Sequence, residues 1–379
     1  MSVSKQDGSF ETTVCYSVLD WNSIVLKEFA KQVLQVSPKI PLFILDRLIK
    51  ESQPPEKRAK VVFSVLTKAG PLANGKVSAF EFLPTFCDTL RRNGFATEWA
   101  SNVAELDASL NDEVPVFLVH LFGEDHSDIF SAEVLDLEKK AVATFNTAEA
   151  GQLLADKLAS HKAFVDAGIP VPTLRETGGF VRSRFGTALP TEIQEGTEAL
   201  PAEDERRIFT DFVDTRIEYD GRLFYTTVRI VCIDGTILHS YPRARDAKEE
   251  NPSVHAKDTP LEPALVEYLN DVLVVPNAEA FEGIARNLHH VLGHGFFAHD
   301  LVIDNVSGEI FVCEGGFKFD DPSYWRHMKR ISSDLPSQAV LFPIQNFAKH
   351  SSETFCRRCL SILEKTPVKA ASAAGLGSN

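Results

Sequence analysis

Phe297-Ala-His-Asp-Leu-Val-Ile-Asp304, followed by Glu309-Ile-Phe-Val-Cys-Glu314, is the stretch on which the fold turns. Each half is a short apolar run of strand length, and Asn305-Val-Ser-Gly308 between them is turn-forming. The pattern predicts two antiparallel strands that set Asp300 beside Glu314. A carboxylate inside an apolar strand is costly unless it is paired, hydrogen-bonded or bound to a cation. Two adjacent carboxylates also repel, and a Mg²⁺ between them removes that conflict while leaving positions open to phosphate oxygens. Asp304, at the turn, reads instead as an acid reaching solvent.

Outward from the hairpin, strand-like segments precede it at 180–185, 208–213, 224–233 and 236–241, with Asp234-Gly235 as a two-residue hairpin turn. They predict an antiparallel sheet inserted between two α/β regions. A helix over 279–292, capped by Gly293, leads into the hairpin. Further upstream, Asn146-Thr-Ala-Glu149 has the form of a capping box. The helix it opens carries Asp156-Lys157, and a second ends at Gly168 before the extended Ile169-Pro-Val-Pro172. Strands at 61–66 (VVFSVL), 114–121 (VPVFLVHL) and 141–145, with a helix over 78–93 closed by Gly94, predict a small parallel α/β sheet. The loop at 70–75 lacks the spacing of a dinucleotide fingerprint or a phosphate-binding Lys loop. Helical spacing over 21–36 and 42–49 forms a preface, open to two readings, a cap or a homodimer surface. The tail from 369 is low in complexity and is expected to be disordered.

Composition narrows the partners. The 379 residues carry a formal net charge of -14, from 53 acidic against 39 basic side chains. Such a surface repels polyphosphate backbones and anionic bilayers, so neither nucleic acid nor membrane is expected as a partner. No apolar run approaches the length of a bilayer span, the N-terminal residues lack a signal-peptide pattern, and the six cysteines are scattered. A cytoplasmic chain with reduced thiols is expected. Cys356-Arg-Arg-Cys359 lies in a helical pattern and lacks the βαβ context of a redox motif. His290 and His294, four apart, lack the accompanying ligands of a zinc helix and read as packing residues.

Taken in order, Asp156-Lys157, Gly168-Ile-Pro-Val-Pro172, the lid-like antiparallel sheet, and Asp300 with Glu314 on a hairpin resemble the ATP-grasp superfamily. The pattern looks most like its carboxylate–amine ligases, such as D-alanine–D-alanine ligase, glutathione synthetase and the glutamate ligase that modifies a ribosomal protein. The resemblance covers about residues 146–321 and implies an α/β fold. Its parts are an N-terminal parallel α/β domain (57–145, after a helical extension at 1–56), a helical linker (146–178), an inserted antiparallel lid (179–245) and a C-terminal mixed-sheet domain with the metal site (246–366). The tail is 367–379. It implies ATP and Mg²⁺ as cofactors, with a small-molecule carboxylate and an amine, such as amino acids, as substrates. Position by position, Lys157 matches the first ATP-contacting lysine, and Asp211-Phe212-Val213 matches the segment along the adenine edge. Arg229 and Arg243 match arginines that face phosphate or substrate carboxylate, with Arg245 an alternative to Arg243. Asp300 and Glu314 match the metal ligands.

Three positions depart from that pattern. The second lysine falls at Arg182, with Arg184 on the same strand face as a rival. The glycine-rich flap shrinks to Gly186-Thr187. Gly316 stands where an Asn usually follows the second metal acid, leaving Lys318, Asp320 and Asp321 as substitutes. What the resemblance implies is ATP-driven acyl phosphate formation followed by amine attack, chemistry that needs no Ser, Cys or His nucleophile. A small-molecule kinase and a nucleotide-binding regulator without turnover remain as alternatives.

Overall fold

The computed structural model describes residues 39–41, 57–64, 76–78, 83–121, 132–176, 178–185, 192–194, 206–249, 251–317, 328, 330, 334 and 338–366. The expected helices at 21–36 and 42–49, the 70–75 loop, Gly186-Thr187, the acids at 320 and 321, and the tail lie outside them.

Near the N-terminus β1 (Lys39–Pro41) pairs antiparallel with β3 (Lys76–Ser78). The parallel sheet has β2 (Ala59–Ser64) at its centre, between β4 (Phe95–Ala100) and β5 (Val116–His120), with β6 (Ala143–Phe145) beyond β5. Every residue of β2 and β5 is buried, as expected of strands covered on both faces. The covering helices are α1 (Leu83–Arg92), α2 (Val103–Leu110) and α3 (Ala132–Glu138). β4 was not anticipated, because Phe-Ala-Thr-Glu-Trp-Ala interrupts its apolar run with Thr97 and Glu98. Gly94, at φ +81°, marks the turn between α1 and β4.

α4 (Ala148–Ala155) and α5 (Lys157–Asp166) follow. Thr147, not Asn146, caps α4, its Oγ1 accepting from the Ala150 amide at 3.2 Å. Asn146 sits at φ +58° and joins two sheets. Its amide donates to the His120 carbonyl at 2.9 Å, and its oxygen accepts from the Phe296 amide at 2.7 Å. Asp156 stands between the helices rather than within one, at φ −108°.

The antiparallel strands divide differently from expectation. A three-stranded sheet contains β7 (Gly179–Ser183) flanked by β8 (Glu192–Gln194) and β9 (Arg207–Thr210). The segments expected at 224–233 and 236–241 do not join it. They are β11 (Arg222–Ile233) and β12 (Thr236–Asp246), which with β10 (Arg216–Tyr219), β13 (Phe296–Ile303) and β14 (Ile310–Gly316) form one five-stranded sheet. β11 is long and buried along most of its length, so it takes β12 on one edge and β13 on the other. Local strand spacing cannot reveal that long-range pairing.

One face of this sheet, with Phe224, Ile230, Phe297 and Leu301, packs on α6 (Pro263–Leu269) and α7 (Ala278–Leu292). α7 buries Phe281, Ile284, Ala285, Leu288 and Leu292, the stripe of a helix lying on a core. The other face brings Val231, Ile233 and Phe296 against Phe63, Phe117 and Phe145 of the parallel sheet, and against Phe347 and Phe355 of α8 (Gln338–Lys365). The fold is thus mixed α/β, and among the described residues no helix is long and apolar enough to cross a membrane.

Candidate functional site

The hairpin register is the expected one: Asp300 lies opposite Glu314. A bulge at Cys313 interrupts the ladder there, because Leu301 pairs with Val312 and Asp300 with Glu314. On its other side Asp300 pairs with Arg229 of β11, so four strands present charged groups in one region.

Their side chains sort into two clusters. In the first, Arg229 grips Asp300 with both prongs of its fork, at 2.7 and 3.0 Å, and Arg243 Nη2 makes an ion contact at 2.6 Å. Burial pushes the Asp300 carboxyl up, but the Arg229 and Arg243 charges outweigh it and hold the group well below the usual carboxylate range. Arg245 turns elsewhere, to Asp258 and Glu249, so of the two expected rivals Arg243 reaches Asp300.

In the second cluster Lys157 opens α5 and is buried, its amine 3.6 Å from the Glu314 carboxylate. Asp156 caps that helix by accepting from the amides of Leu158 and Ala159 at 2.9 and 3.3 Å. The same carboxylate takes the Arg184 fork at 2.8 and 2.6 Å. Burial raises the Asp156 carboxyl, but Arg184 and the amides more than offset it and lower its pKa. Arg182 points elsewhere: its Nη1 donates to the Cys313 carbonyl at 2.6 Å. The two arginines do not share a role, because β7 ends at Ser183 and alternation lapses before Arg184. Asp211-Phe212-Val213 follows β9, with the Asp211 amide donating to the Thr173 carbonyl at 2.7 Å and Phe212 6.4 Å from the Phe180 ring.

Asp300 and Glu314 do not fit a shared cation as they stand. Both oxygens of Asp300 are engaged by guanidinium groups, and Glu314 faces the Lys157 amine. A dication between them would lie against three positive charges. What the arrangement can hold is an anion. Lys157, Arg182, Arg184, Arg229 and Arg243 gather around Asp156, Asp300 and Glu314, a cluster of cations in an acidic chain. The Nε–H groups of Arg182 and Arg243 are buried without an acceptor among the described residues, a costly condition that an oxyanion relieves.

Two features were not legible in the sequence. His120 links Ser64 and Glu138 where β2 and β5 end, the point at which the strand order of the parallel sheet reverses. Glu138 also accepts the Ala148 amide at 2.7 Å, and Ser64 and His120 are fully enclosed, so the chain braces β2, β5, α3 and α4. Its members are far apart in sequence, which hid it. The other is the setting of His294, which shares no helical face with His290 because α7 stops at Leu292 and Gly293 turns at φ +72°. Cys356 and Cys359 lie buried in α8, and burial pushes the Cys356 thiol up to about 11, opposite to what a reactive thiol requires.

No family model and no curated protein sequence matches the chain. Solved structures do resemble it. D-alanine–D-alanine ligase from Bacillus anthracis complexed with ATP aligns at 12% identity, covering 79% of this chain and 99% of that one, with a TM-score of 0.44. N5-carboxyaminoimidazole synthetase from Staphylococcus aureus complexed with ADP aligns at 13%, over 72% and 73%, with a TM-score of 0.43. A RimK domain ATP-grasp protein from Sphaerobacter thermophilus aligns at 17%, over 73% and 97%, with a TM-score of 0.38. At these identities and scores the likeness carries no weight for activity.

Proposed function

We propose that the residues around Lys157, Arg182 and Arg243 bind ATP and that the chain is an ATP-dependent ligase joining a carboxylate to an amine. The observation that carries this reading is the pair of buried guanidinium Nε–H groups of Arg182 and Arg243, without an acceptor among the described residues, at the Asp300–Glu314 pair that Lys157 also faces. Lys157 and Arg182 are assigned to the phosphates, and the backbone of 211–213 to the adenine edge. Arg229 and Arg243 are assigned to the oxyanion that forms when the γ-phosphoryl group passes to the substrate carboxylate. The guanidinium fork suits both phosphate and carboxylate. In this reaction the carboxylate oxygen bonds to the γ-phosphorus and ADP leaves. The amine then attacks the acyl carbon, loses a proton, and inorganic phosphate departs. The protein supplies position and charge, and the β7–β9 sheet excludes water from the acyl phosphate. Mg²⁺ is assigned to no residue, since Asp300 is already neutralised by arginine.

That same neutralisation favours a second reading, a nucleotide-binding protein without turnover. A carboxylate and amine library, screened with ATP and Mg²⁺ for coupled release of ADP and phosphate with amide formation, separates the two. Amide product with one phosphate per ADP supports the ligase. Nucleotide binding without turnover across the library supports the second reading, and a phosphoester product replaces both with a kinase.

A further inference from the structure

The β11–β12 turn holds a different group of residues, beyond the end of β11 and past the Arg229 that pairs with Asp300. Asp234 and Gly235 form the turn at φ +48° and +74°. It presses on the end of α7 so closely that a Cβ at Gly235 would stand 3.0 Å from the His289 Cβ. Beyond α7, Gly293 swings His294 back over the turn, where its Nδ1 lies 2.7 Å from Asp234 Oδ2. Asp234 is further held by the Gly295 amide at 2.8 Å and by Arg358 Nε at 2.6 Å. His289 Nδ1 lies 2.9 Å from the Gly293 carbonyl oxygen.

Those contacts fix the tautomers. A carbonyl or carboxylate oxygen only accepts, so each histidine carries its proton on Nδ1, and the neutral rings present lone pairs on Nε2. Metal-ligating histidines are typically held in this way, one nitrogen donating to a carboxylate or carbonyl and the other on the ion. The two ring centres stand 5.7 Å apart. With Zn–N bonds of about 2.0–2.1 Å, two imidazoles on one ion hold their centres about 5–6 Å apart. Ligand-type atoms of Asp234, His289 and His294 all fall within 4.8 Å of one another, the single such group of three among the described residues. Imidazole nitrogens select zinc and its neighbours over Mg²⁺ or Ca²⁺.

We propose that His289 and His294 bind a transition-metal ion of the Zn²⁺ class through their Nε2 atoms. Asp234, neutralised by Arg358, acts from behind as the carboxylate that orients His294. Water completes the coordination, since both histidines are only partly buried. The ion clips the β11–β12 turn to the end of α7 and the start of β13, and this site is independent of the proposed nucleotide site.

The test uses the full-length chain freed of metal by chelation. Zn²⁺ is titrated by calorimetry, and Co²⁺ by visible absorption, into wild type, His289→Ala, His294→Ala and Asp234→Asn. One equivalent of Zn²⁺ is expected in wild type, with a ligand-field spectrum for Co²⁺ and a Zn²⁺-dependent rise in Tm. Both histidine variants should lose the Co²⁺ spectrum and the rise in Tm. Asp234→Asn should bind roughly 10- to 100-fold more weakly, as expected for an orienting group. Because His289 is half-buried at a helix end, its alanine variant should keep the wild-type circular dichroism and metal-free Tm, which guards against misfolding as the cause. Absence of stoichiometric binding to wild type, or equal binding in the His289→Ala and His294→Ala variants, overturns the site and leaves simple ring packing of His294 on His289 and Phe145.

Discussion

Asp300 owes its place in an apolar strand to two guanidinium groups, which makes its substitution a question of stability before catalysis. Asp300→Asn leaves Arg229 and Arg243 buried with their shared counter-ion gone, and breaking a buried pair costs about 3–5 kcal/mol. Denaturant titration at neutral pH should show that loss. The sign with pH follows from the lowered carboxyl. A depressed folded-state pKa gives stability that is present above the unfolded value of about 3.9 and is lost as pH falls below it. The gap between wild type and Asp300→Asn should therefore close steadily below about pH 4. A gap independent of pH contradicts the ion pair. Arg182 and Arg184 separate at the same scale. Arg182→Ala should weaken ADP binding by about 1.5–3 kcal/mol, the range for hydrogen bonds to charged groups. Arg184→Ala should instead loosen the start of α5, lowering Tm with a smaller effect on ADP, because its fork lies on Asp156.

Among the elements, the β7–β9 sheet is the one whose movement the proposed chemistry needs. Its first residue, Gly179, sits at φ +81°, and a Cβ there would stand 2.4 Å from the Thr210 carbonyl oxygen. Gly179→Ala should therefore uncouple β7 from β9 and speed amide hydrogen exchange across 179–183 and 207–210, sparing the parallel sheet. ADP should slow exchange over the same residues in wild type. Equal exchange with and without ADP would mean that the sheet does not close. Element by element, the sequence was most legible where pairing is local. The Asp234-Gly235 turn is as read, since a two-residue turn fixes its own register, and Asp300 does stand opposite Glu314, though a bulge at Cys313 and not the loop alone puts it there. It was least legible where partners are remote. β11 gave no sign that it would take β13, and Asn146 looked like a helix cap because its two hydrogen-bond partners lie 26 and 150 residues away.

For the whole molecule, the fold concentrates positive charge between the β7–β9 sheet, the start of α5 and the five-stranded sheet, against a total charge of -14. The sequence marked each of those cations as a candidate, yet it could not show that Arg229 and Arg243 converge on Asp300, because three strands meet there. It offered a metal where the structure has guanidinium groups. The central claim is that this cluster is a nucleotide site, and calorimetric titration of ADP into wild type and the Lys157→Ala/Arg182→Ala double variant tests it most directly. Saturable one-to-one binding in wild type is expected, with a loss of at least about tenfold in the double variant, the least that one charged hydrogen bond supplies. Unchanged affinity in the double variant, or no binding to wild type at millimolar ADP, would contradict the account.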